Sequence, residues 1–253
     1  MHTISIQTGR PYEVLVGRGL LAGLGELTAQ ACPRATRAAL VSDDTVAMLY
    51  GEAAAAALAG AGLSVSRFAF PHGEENKTLS TYGRLLSFLA RERLTRTDCI
   101  VALGGGVTGD LAGFAAATYL RGIDFVQAPT TLLAAVDASV GGKTAVDLPE
   151  GKNLVGAFHQ PALVVCDTGT FATLPEEALA CGMAELIKHG VIADEALFDS
   201  LAAGRPADLA AAVARSVEIK GRIVAGDERD NGARQCLNLG HTAGHAVELL
   251  SGL

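Results

Sequence analysis

The hydrophobic and polar positions of the chain follow two patterns, one on each side of about residue 165. In the first part, short β-branched runs alternate with Ala- and Leu-rich stretches, such as 52–61 and 79–94, whose composition and spacing predict helices. This alternation is typical of βαβ units around a mainly parallel sheet. We therefore predict an α/β fold for this part, with strands near 39–42, 64–68, 99–103, 123–126 and 162–166.

The second part carries no further strand signals. Its segments predict helices near 176–192, 195–203, 206–224 and 241–250. The change in pattern indicates a boundary within 155–175, and we divide the chain into an α/β domain, residues 1–165, and an all-α domain, residues 166–253. A cleft between two such domains is a common place for a small ligand.

Composition excludes several classes of protein. The chain has 253 residues, 49% of them hydrophobic, so it can bury a substantial core. It has no signal-peptide pattern and no apolar run of the roughly 20 residues that span a membrane, so we expect a cytoplasmic protein that binds no membrane. A net charge of −7 argues against a nucleic-acid surface. The five scattered cysteines, without a C-x-x-C pair, predict buried reduced thiols.

A glycine-rich turn is the sharpest local signal. Gly104-Gly105-Gly106-Val107-Thr108-Gly109-Asp110 follows a predicted strand and precedes a predicted helix. Glycines let the backbone approach a diphosphate, whose charge the N–H groups and the helix dipole can meet. The turn lies about a hundred residues into the chain, and no acidic residue ends a strand at the usual distance downstream, so this is not an ordinary dinucleotide-binding domain. A tight turn without a ligand is the alternative.

Two other strand-to-helix turns carry carboxylates. Asp43 and Asp44 follow one predicted strand, while Glu74 and Lys77 follow the next. The carboxyl ends of parallel strands meet at one edge of a sheet, where ligands collect. These carboxylates could accept ribose hydroxyls or could only cap helices, and the residues alone leave both possibilities open.

Lysines follow glycines in the segment 137–154, where Gly142 precedes Lys143 and Gly151 precedes Lys152. In an acidic chain such lysines suggest anchors for a phosphate or a carboxylate, although a lysine considered alone is more often a solvated surface residue.

A possible metal site lies in the helical part. Glu185, Lys188 and His189 stand at i, i+3 and i+4, so they share a helix face, and His241 and His245 are again one turn apart. Two histidines with a carboxylate can hold a divalent metal through nitrogen and oxygen. A structural role is the alternative for each histidine.

Taken in order and with their spacings, these blocks resemble the 3-dehydroquinate synthase family from about Tyr12 to Glu248. The runs that carry the resemblance are GGGVTGDLAGF, RGIDFVQAPTTLLAAVDASVGGKT, GKNLVGAF, MAELIKHG and RQCLNLGHTAGHAVE. The resemblance implies an α/β N-terminal domain with a Rossmann-like, mainly parallel sheet, followed by an all-α C-terminal domain, usually in a homodimer. It also implies a phosphate-eliminating lyase that uses NAD and a divalent metal, zinc or cobalt, to convert DAHP, a phosphorylated seven-carbon 2-keto acid, into 3-dehydroquinate.

The resemblance assigns roles to individual residues. NAD contacts would fall on Asp43, Glu74, Lys77, Gly105, Gly106, Val107, Asp110, Thr130, Thr131, Lys143, Lys152 and Thr173. Substrate-facing or catalytic groups would be Arg121, Asp137, Lys143, Asn153, Lys188, Lys220, Arg234, Asn238 and His245, with Arg121 reaching across the dimer. The metal ligands would include Glu185 and His241. His245, a ligand candidate by spacing, becomes a proton-handling partner of the substrate.

The implied reaction is a transient alcohol oxidation by NAD, followed by phosphate elimination, reduction, ring opening and an intramolecular aldol closure. NAD is regenerated in this sequence. The alternatives are another sugar-phosphate cyclase, a metal-dependent polyol dehydrogenase and an inactive NAD-binding remnant. Lys220, Arg234 and Asn238 favour a substrate that bears a carboxylate.

The family takes a second metal histidine and a further phosphate-binding lysine from segments beyond the position of Leu253. A catalytic zinc site generally needs three protein ligands, and only two are assigned here. We therefore expect a helical domain that is incomplete at its C-terminus, weak metal binding and little synthase activity.

Overall fold

The computed structural model describes residues 1–240, 244 and 247. Strands in this part of the chain are β1 (His2–Ile6), β2 (Tyr12–Gly17), β3 (Arg37–Asp43), β4 (Ser64–Phe70), β5 (Cys99–Gly104), β6 (Asp124–Pro129), β7 (Lys143–Leu148), β8 (Gly151–Phe158) and β9 (Leu163–Asp167). Seven of them form one sheet in the order β1-β2-β9-β6-β5-β3-β4, in which only β1 and β2 pair antiparallel. The predicted mainly parallel sheet is confirmed.

Helices connect and cover the strands. They are α1 (Leu24–Ala31), α2 (Asp44–Val46), α3 (Glu52–Gly60), α4 (Leu79–Arg91), α5 (Gly106–Thr118), α6 (Glu176–Ala193), α7 (Glu195–Ala202) and α8 (Leu209–Gly226). A π-helical turn, Ala47–Gly51, joins α2 to α3, and a second one spans Ala134–Ala138. Across the described residues, no helix combines the length and the apolar character needed to cross a membrane.

The central strands are buried on both faces. In β3, Ala39 and Val41 pack into one hydrophobic cluster, while Ala38 and Leu40 pack into another. Successive side chains of a strand point to opposite faces, so each cluster covers one side of the sheet. All residues of β5 are buried, which explains why it reads as a continuous apolar run rather than an alternating one.

The carboxyl ends of the parallel strands lie side by side. Asp43 at the end of β3 is in register with Phe70 of β4, and Gly104 at the end of β5 is in register with Pro129 of β6. The turns after these strands therefore meet at one edge of the sheet, as predicted from the sequence. This edge is where open α/β sheets bind ligands.

The hairpin of β7 and β8 is an element that the hydrophobic pattern does not predict. Its strands pair antiparallel, with Lys143 opposite Phe158 and a register shift between Val146 and Leu148. Most positions of β8 are exposed or half-buried, so the segment lacks the apolar alternation that marks a strand. The hairpin packs against α5, where a Cβ on Gly113 would lie 2.5 Å from the Thr144 methyl group.

After Asp167 the described residues form helices and turns but no strand. The helices α6, α7 and α8 agree with the predicted ones to within a few residues, and the helix predicted at 241–250 lies outside the described residues except for 244 and 247. One hydrophobic cluster contains both Val14 of β2 and Leu186 of α6. The helical part thus packs directly on the β1–β2 side of the sheet. The division between residues 165 and 166 falls within β9 and stays a prediction.

The cysteine prediction is only partly right. Cys32, Cys99 and Cys166 are free and buried, whereas Cys181 and Cys236 are free and exposed. Cys181 lies on α6 and Cys236 in the short turn Ala233–Asn238, both at positions that face away from the core.

Candidate active site

The glycine-rich turn joins β5 to α5 at the edge of the sheet where the carboxyl ends of the parallel strands meet. Gly105 is the N-cap of α5 and provides no side-chain cap, so the first N–H groups of the helix have no side-chain partner there. A Cβ on Gly104 would lie 2.4 Å from Thr108 Oγ1, whereas one on Gly106 would lie 3.5 Å from its nearest neighbour, Ala138. Packing thus requires Gly104, while Gly106 presents a backbone without a side chain at the start of the helix. Such an end suits an anion.

The carboxylates that follow β3 have different partners. Asp43 caps the next helix, because its Oδ1 accepts the N–H of Val46 at 2.9 Å. Asp44 Oδ1 lies 2.8 Å from His72 Nδ1, and this hydrogen bond lowers the pKa of Asp44 and raises that of His72. The sequence alone left open whether these carboxylates bind ribose or cap helices. The structure shows capping for Asp43, and its contact with NAD stays a prediction.

Lys77 joins the glycine turn to the β7–β8 hairpin. Its side chain is buried, and Nζ lies 2.6 Å from Asp110 Oδ2, 2.5 Å from Asn153 Oδ1 and 3.7 Å from Glu74 Oε1. Burial disfavours the ammonium, but Asp110 outweighs it and raises the pKa of Lys77. Burial raises the pKa of Asp110 to about 6 although Lys77 opposes this shift. Lys77 therefore contacts both residues predicted to bind NAD and a residue predicted to bind the substrate.

A second ion pair links the buried Lys220 of α8 to the half-buried Asp137. Lys220 Nζ lies 2.5 Å from both the carboxylate and the backbone oxygen of Asp137. Burial opposes ionisation of Asp137, but attraction to Lys220, supported by Lys188 and His189, lowers its pKa to about 2. Burial also lowers the pKa of Lys220. Asp137 is therefore a carboxylate at neutral pH and accepts hydrogen bonds rather than donating a proton.

Lys143 and Arg234 bring two more cations to the same region. Lys143 forms an ion pair with Asp230 and keeps half of its side chain exposed. Arg234 is 2% exposed, and its guanidinium donates to the backbone oxygens of Gly141 at 3.1 Å and Glu228 at 2.8 Å. Local hydrogen bonds thus hold the cations in place, as expected for groups that receive an anionic ligand.

Two carboxylates and a histidine form a cluster, to which α6 contributes Glu185 and His189. Ligand atoms of Asp137, Glu185 and His189 all lie within 4.8 Å of one another. Glu185 Oε1 is 2.6 Å from Lys188 Nζ and 3.3 Å from His189 Nε2. Glu185 and His189 are both buried. A carboxylate oxygen and an imidazole nitrogen this close together are donors that suit a divalent metal.

The shared helix face of Glu185, Lys188 and His189 agrees with the spacing argument. Burial favours the neutral form of Glu185, but His189 and Lys188 outweigh it and lower its pKa. His189 Nδ1 is 2.5 Å from Ser216 Oγ, which fixes the ring. The predicted ligand His241 and the predicted proton-handling residue His245 lie outside the described residues.

A cleft of about 610 Å³ brings many of these groups together. It lies between α5, the β7–β8 hairpin and the helical part of the chain. The predicted site residues that line it are Asp110, Asp137, Lys143, Asn153, Lys220, Arg234 and Asn238. The fold therefore concentrates predicted substrate contacts that lie far apart in the sequence.

Three further predicted NAD contacts lie beside the glycine turn. Thr130 is buried, and its backbone N–H donates to Gly104 at 2.9 Å. The hydroxyl of Thr131 accepts the N–H of Ala134 at 3.1 Å and so caps the turn that follows. The side chain of Val107 packs partly into the core, so its backbone is the group available to a phosphate. Their roles in binding NAD stay predictions.

Other predicted residues lie away from the cleft. Lys152 lines a separate cavity of about 640 Å³ together with Glu74. Thr173 Oγ1 is 2.7 Å from the hydroxyl of Tyr50. Arg121 is exposed in a turn and has a φ of +70°. Strained backbone at an exposed arginine is a feature often found at functional positions.

Sequence reasoning missed several polar residues that lie outside the cleft and contact the segments that carry its cations. Asp230 pairs with Lys143, has a φ of +56° and carries a buried Oδ1 without a hydrogen-bond partner among the described residues. Tyr12 and Glu228 contact Gly141 and Arg234. The acidic run just before Arg234 could have marked Asp230 and Glu228, but no local signal marks Tyr12.

The fold places the chain among the sugar-phosphate cyclases. A solved 2-deoxy-scyllo-inosose synthase, complexed with carbaglucose-6-phosphate, NAD+ and Co2+, superposes with a TM-score of 0.88 and is 31% identical, over 98% of this chain and 71% of that chain. The 2-epi-5-epi-valiolone synthase of Streptomyces hygroscopicus, with NAD+ and Zn2+ bound, gives a TM-score of 0.84 and is also 31% identical, over 94% of this chain and 68% of that one.

Sequence comparison narrows this class to one family. Residues 67–181 match the model of the 3-dehydroquinate synthase N-terminal region, and residues 182–253 match that of its C-terminal region. A 3-dehydroquinate synthase of Symbiobacterium thermophilum is 55% identical over 248 residues, which are 95% of this chain and 69% of that protein. The chain belongs to the 3-dehydroquinate synthase family.

Proposed function

We propose that this chain carries the NAD-binding and substrate-binding groups of a 3-dehydroquinate synthase, which converts DAHP into 3-dehydroquinate and phosphate in the shikimate pathway. The observation that carries the proposal is the convergence of Lys143, Lys220 and Arg234 on one cleft beside the glycine turn. DAHP bears both a phosphate and a carboxylate, and several cations are needed to hold two anionic groups. Family membership supports the same substrate.

NAD would lie along the carboxyl edge of the sheet. The bare backbone at Gly106 and the uncapped start of α5 fit a diphosphate, and both solved relatives described above hold NAD+. Asp110 and Lys77 stand beside this turn, where they could orient the remainder of the dinucleotide. NAD would supply a reversible hydride acceptor. The residues of this chain supply the diphosphate site and its alignment with the cleft.

A divalent metal, zinc or cobalt, would be held by Glu185 together with the predicted ligand His241. The buried Glu185 carboxylate and the His189 ring nitrogen beside it support a cation at this place, because oxygen and nitrogen donors suit both metals. When bound, the metal would acidify substrate hydroxyls. Asp137, ionised at neutral pH, would accept a hydrogen bond from the substrate, while Lys220 holds the Asp137 carboxylate in place.

A second candidate is another sugar-phosphate cyclase, which the likeness to 2-deoxy-scyllo-inosose synthase favours. The protein should be incubated with NAD, zinc or cobalt, and either DAHP or glucose 6-phosphate, and phosphate release and the carbocyclic product should be measured. Dehydroquinate from DAHP supports the proposal, and cyclisation of the hexose phosphate overturns it. Net NADH with glycerol would identify a polyol dehydrogenase instead. Binding of NAD without any turnover would support the inactive remnant.

Site variants sharpen this assay. Lys143→Ala should abolish DAHP turnover, while Arg91→Ala, at an exposed position at the end of α4, should leave it unchanged. Equal activity of the two variants would show that the activity does not depend on this cleft.

A homodimer and a cytoplasmic location belong to the same proposal. The exposed Arg121 in its strained turn supports a contact with a second copy of the chain. Sedimentation of wild type and Arg121→Ala at matched concentrations tests this point, and a monomeric wild-type protein would contradict it.

A further inference from the structure

The N-terminal strands line no part of the cleft but contact the segments that carry its cations. Tyr12 begins β2 and is 4% exposed, and its phenol oxygen accepts the backbone N–H of Gly141 at 3.0 Å. Gly9, between β1 and β2, donates its N–H to Glu228 Oε2 at 2.8 Å. The hairpin of β1 and β2 thus reaches two segments that lie 129 and 219 residues away along the chain.

Gly141 is held from both sides. Tyr12 binds its N–H, and Arg234 Nη2 binds its carbonyl oxygen at 3.1 Å. Gly141 and Gly142 have φ values of +99° and +67°, in the left-handed region that favours glycine. A Cβ on Gly141 would lie 2.4 Å from Arg234 Nη2. Gly142 alone separates this confined residue from Lys143, so the conformation of the two glycines sets where the lysine enters the cleft.

Glu228 holds Arg234 from the other direction. Its backbone oxygen accepts from Arg234 Nη1 at 2.8 Å, while its carboxylate accepts from Gly9 and, at 2.9 Å, from Gln160 Nε2. The hydrogen bonds from Gly9 and Gln160 lower the pKa of Glu228, so it is ionised at neutral pH. A continuous hydrogen-bond path therefore runs from Tyr12 through Gly141 and Arg234 to Glu228 and back to the β1–β2 hairpin.

We infer that Tyr12 and Glu228 are positioning residues for Lys143 and Arg234, and that the β1–β2 hairpin is the support of the anion-binding side of the cleft. Neither residue touches the cleft, so each acts through the group it holds. Burial raises the pKa of Tyr12 to about 12, so it remains a neutral phenol and takes no part in proton transfer. The inference rests on the proposed function only for the identity of the anion.

Tyr12→Phe is the direct test, because it keeps the packed ring and removes only the hydroxyl. The Gly141 N–H would then be buried without an acceptor, which a structure tolerates poorly. We expect faster amide hydrogen exchange in residues 139–146 and about a tenfold lower kcat/KM for DAHP, mainly through KM. The dissociation constant for NAD should stay within about twofold of wild type. Tyr82→Phe is the matched control, because Tyr82 bonds Thr118 at 2.6 Å and neither residue lines the cleft.

The outcomes separate the inference from the proposed function. Unchanged exchange in residues 139–146 of a folded Tyr12→Phe protein overturns the inference, as does an equal loss of affinity for NAD and DAHP, which would indicate general destabilisation. Wild-type protein that binds neither NAD nor DAHP contradicts the proposed function, yet the exchange measurement still decides the role of Tyr12. Glu228→Gln provides a second variant if Tyr12→Phe does not fold. It should speed exchange near Arg234 and raise KM for DAHP in the same way, and unchanged values in this variant would count against the inference.

Discussion

Replacement of Lys77 by methionine tests the buried cation that joins the glycine turn to the β7–β8 hairpin. Its side chain is only 5% exposed and lies 2.6 Å from Asp110 and 2.5 Å from Asn153. Methionine keeps most of the aliphatic stem but leaves Asp110 without its cation. Because removal of one partner leaves a buried, uncompensated charge, the free energy of unfolding at pH 8 should fall by about 3–5 kcal/mol.

The loss should depend on pH. Burial already raises the pKa of Asp110 to about 6 while Lys77 opposes that shift, so loss of Lys77 raises the pKa further. An acid whose folded-state pKa exceeds its unfolded-state value destabilises the fold increasingly as pH rises through that interval. If the pKa of the variant reaches about 8, the loss grows by roughly 2 kcal/mol between pH 6 and pH 8. Near pH 5, where Asp110 is mostly protonated in both proteins, the variant should differ least from wild type.

Urea unfolding followed by circular dichroism at several pH values between 5 and 8 measures this effect, since the chain has no tryptophan. The double variant Lys77→Met/Asp110→Asn is the control, because it removes the titrating carboxyl and should show a nearly constant difference from the Asp110→Asn protein. An equal loss at pH 5 and pH 8 in the single variant would refute the ion-pair argument. A loss below about 1 kcal/mol at pH 8 would refute it as well.

Three other predictions concern ligands. Gly106→Val should fold, because its Cβ would be in ordinary contact at 3.5 Å, yet it should weaken NAD binding at least tenfold by filling the space for the diphosphate; unchanged NAD affinity in calorimetry would make the turn purely structural. Lys143→Ala should keep NAD affinity by calorimetry while it loses affinity for DAHP, and an equal loss of both would place Lys143 in the nucleotide site. Glu185→Gln should lower the amount of zinc or cobalt retained after dialysis. The same measurement on His189→Ala shows whether the histidine is also a ligand. If it is, both variants lose metal.

The local sequence predicted those elements whose structural and chemical residues follow one another directly along the chain. The strand, glycine turn and helix around 99–118 follow each other directly, so apolar pattern and glycine content predict them together. The shared face of Glu185, Lys188 and His189 follows from the helical repeat. The β7–β8 hairpin could not be predicted in this way, because β8 is largely exposed and its pattern carries little apolar signal.

The sequence by itself therefore determined the parallel α/β class, the helical second part and the residue types that the cleft uses. Only the tertiary structure decided which of these residues meet. Lys220 reaches Asp137 across 83 residues, and Tyr12 reaches Gly141 across 129. In the sheet β9 lies between β2 and β6, and the N-terminal hairpin and the helical part share one hydrophobic cluster. Local periodicity carries no information about strand order, because order follows from the packing of distant apolar faces rather than from the conformation of any one segment.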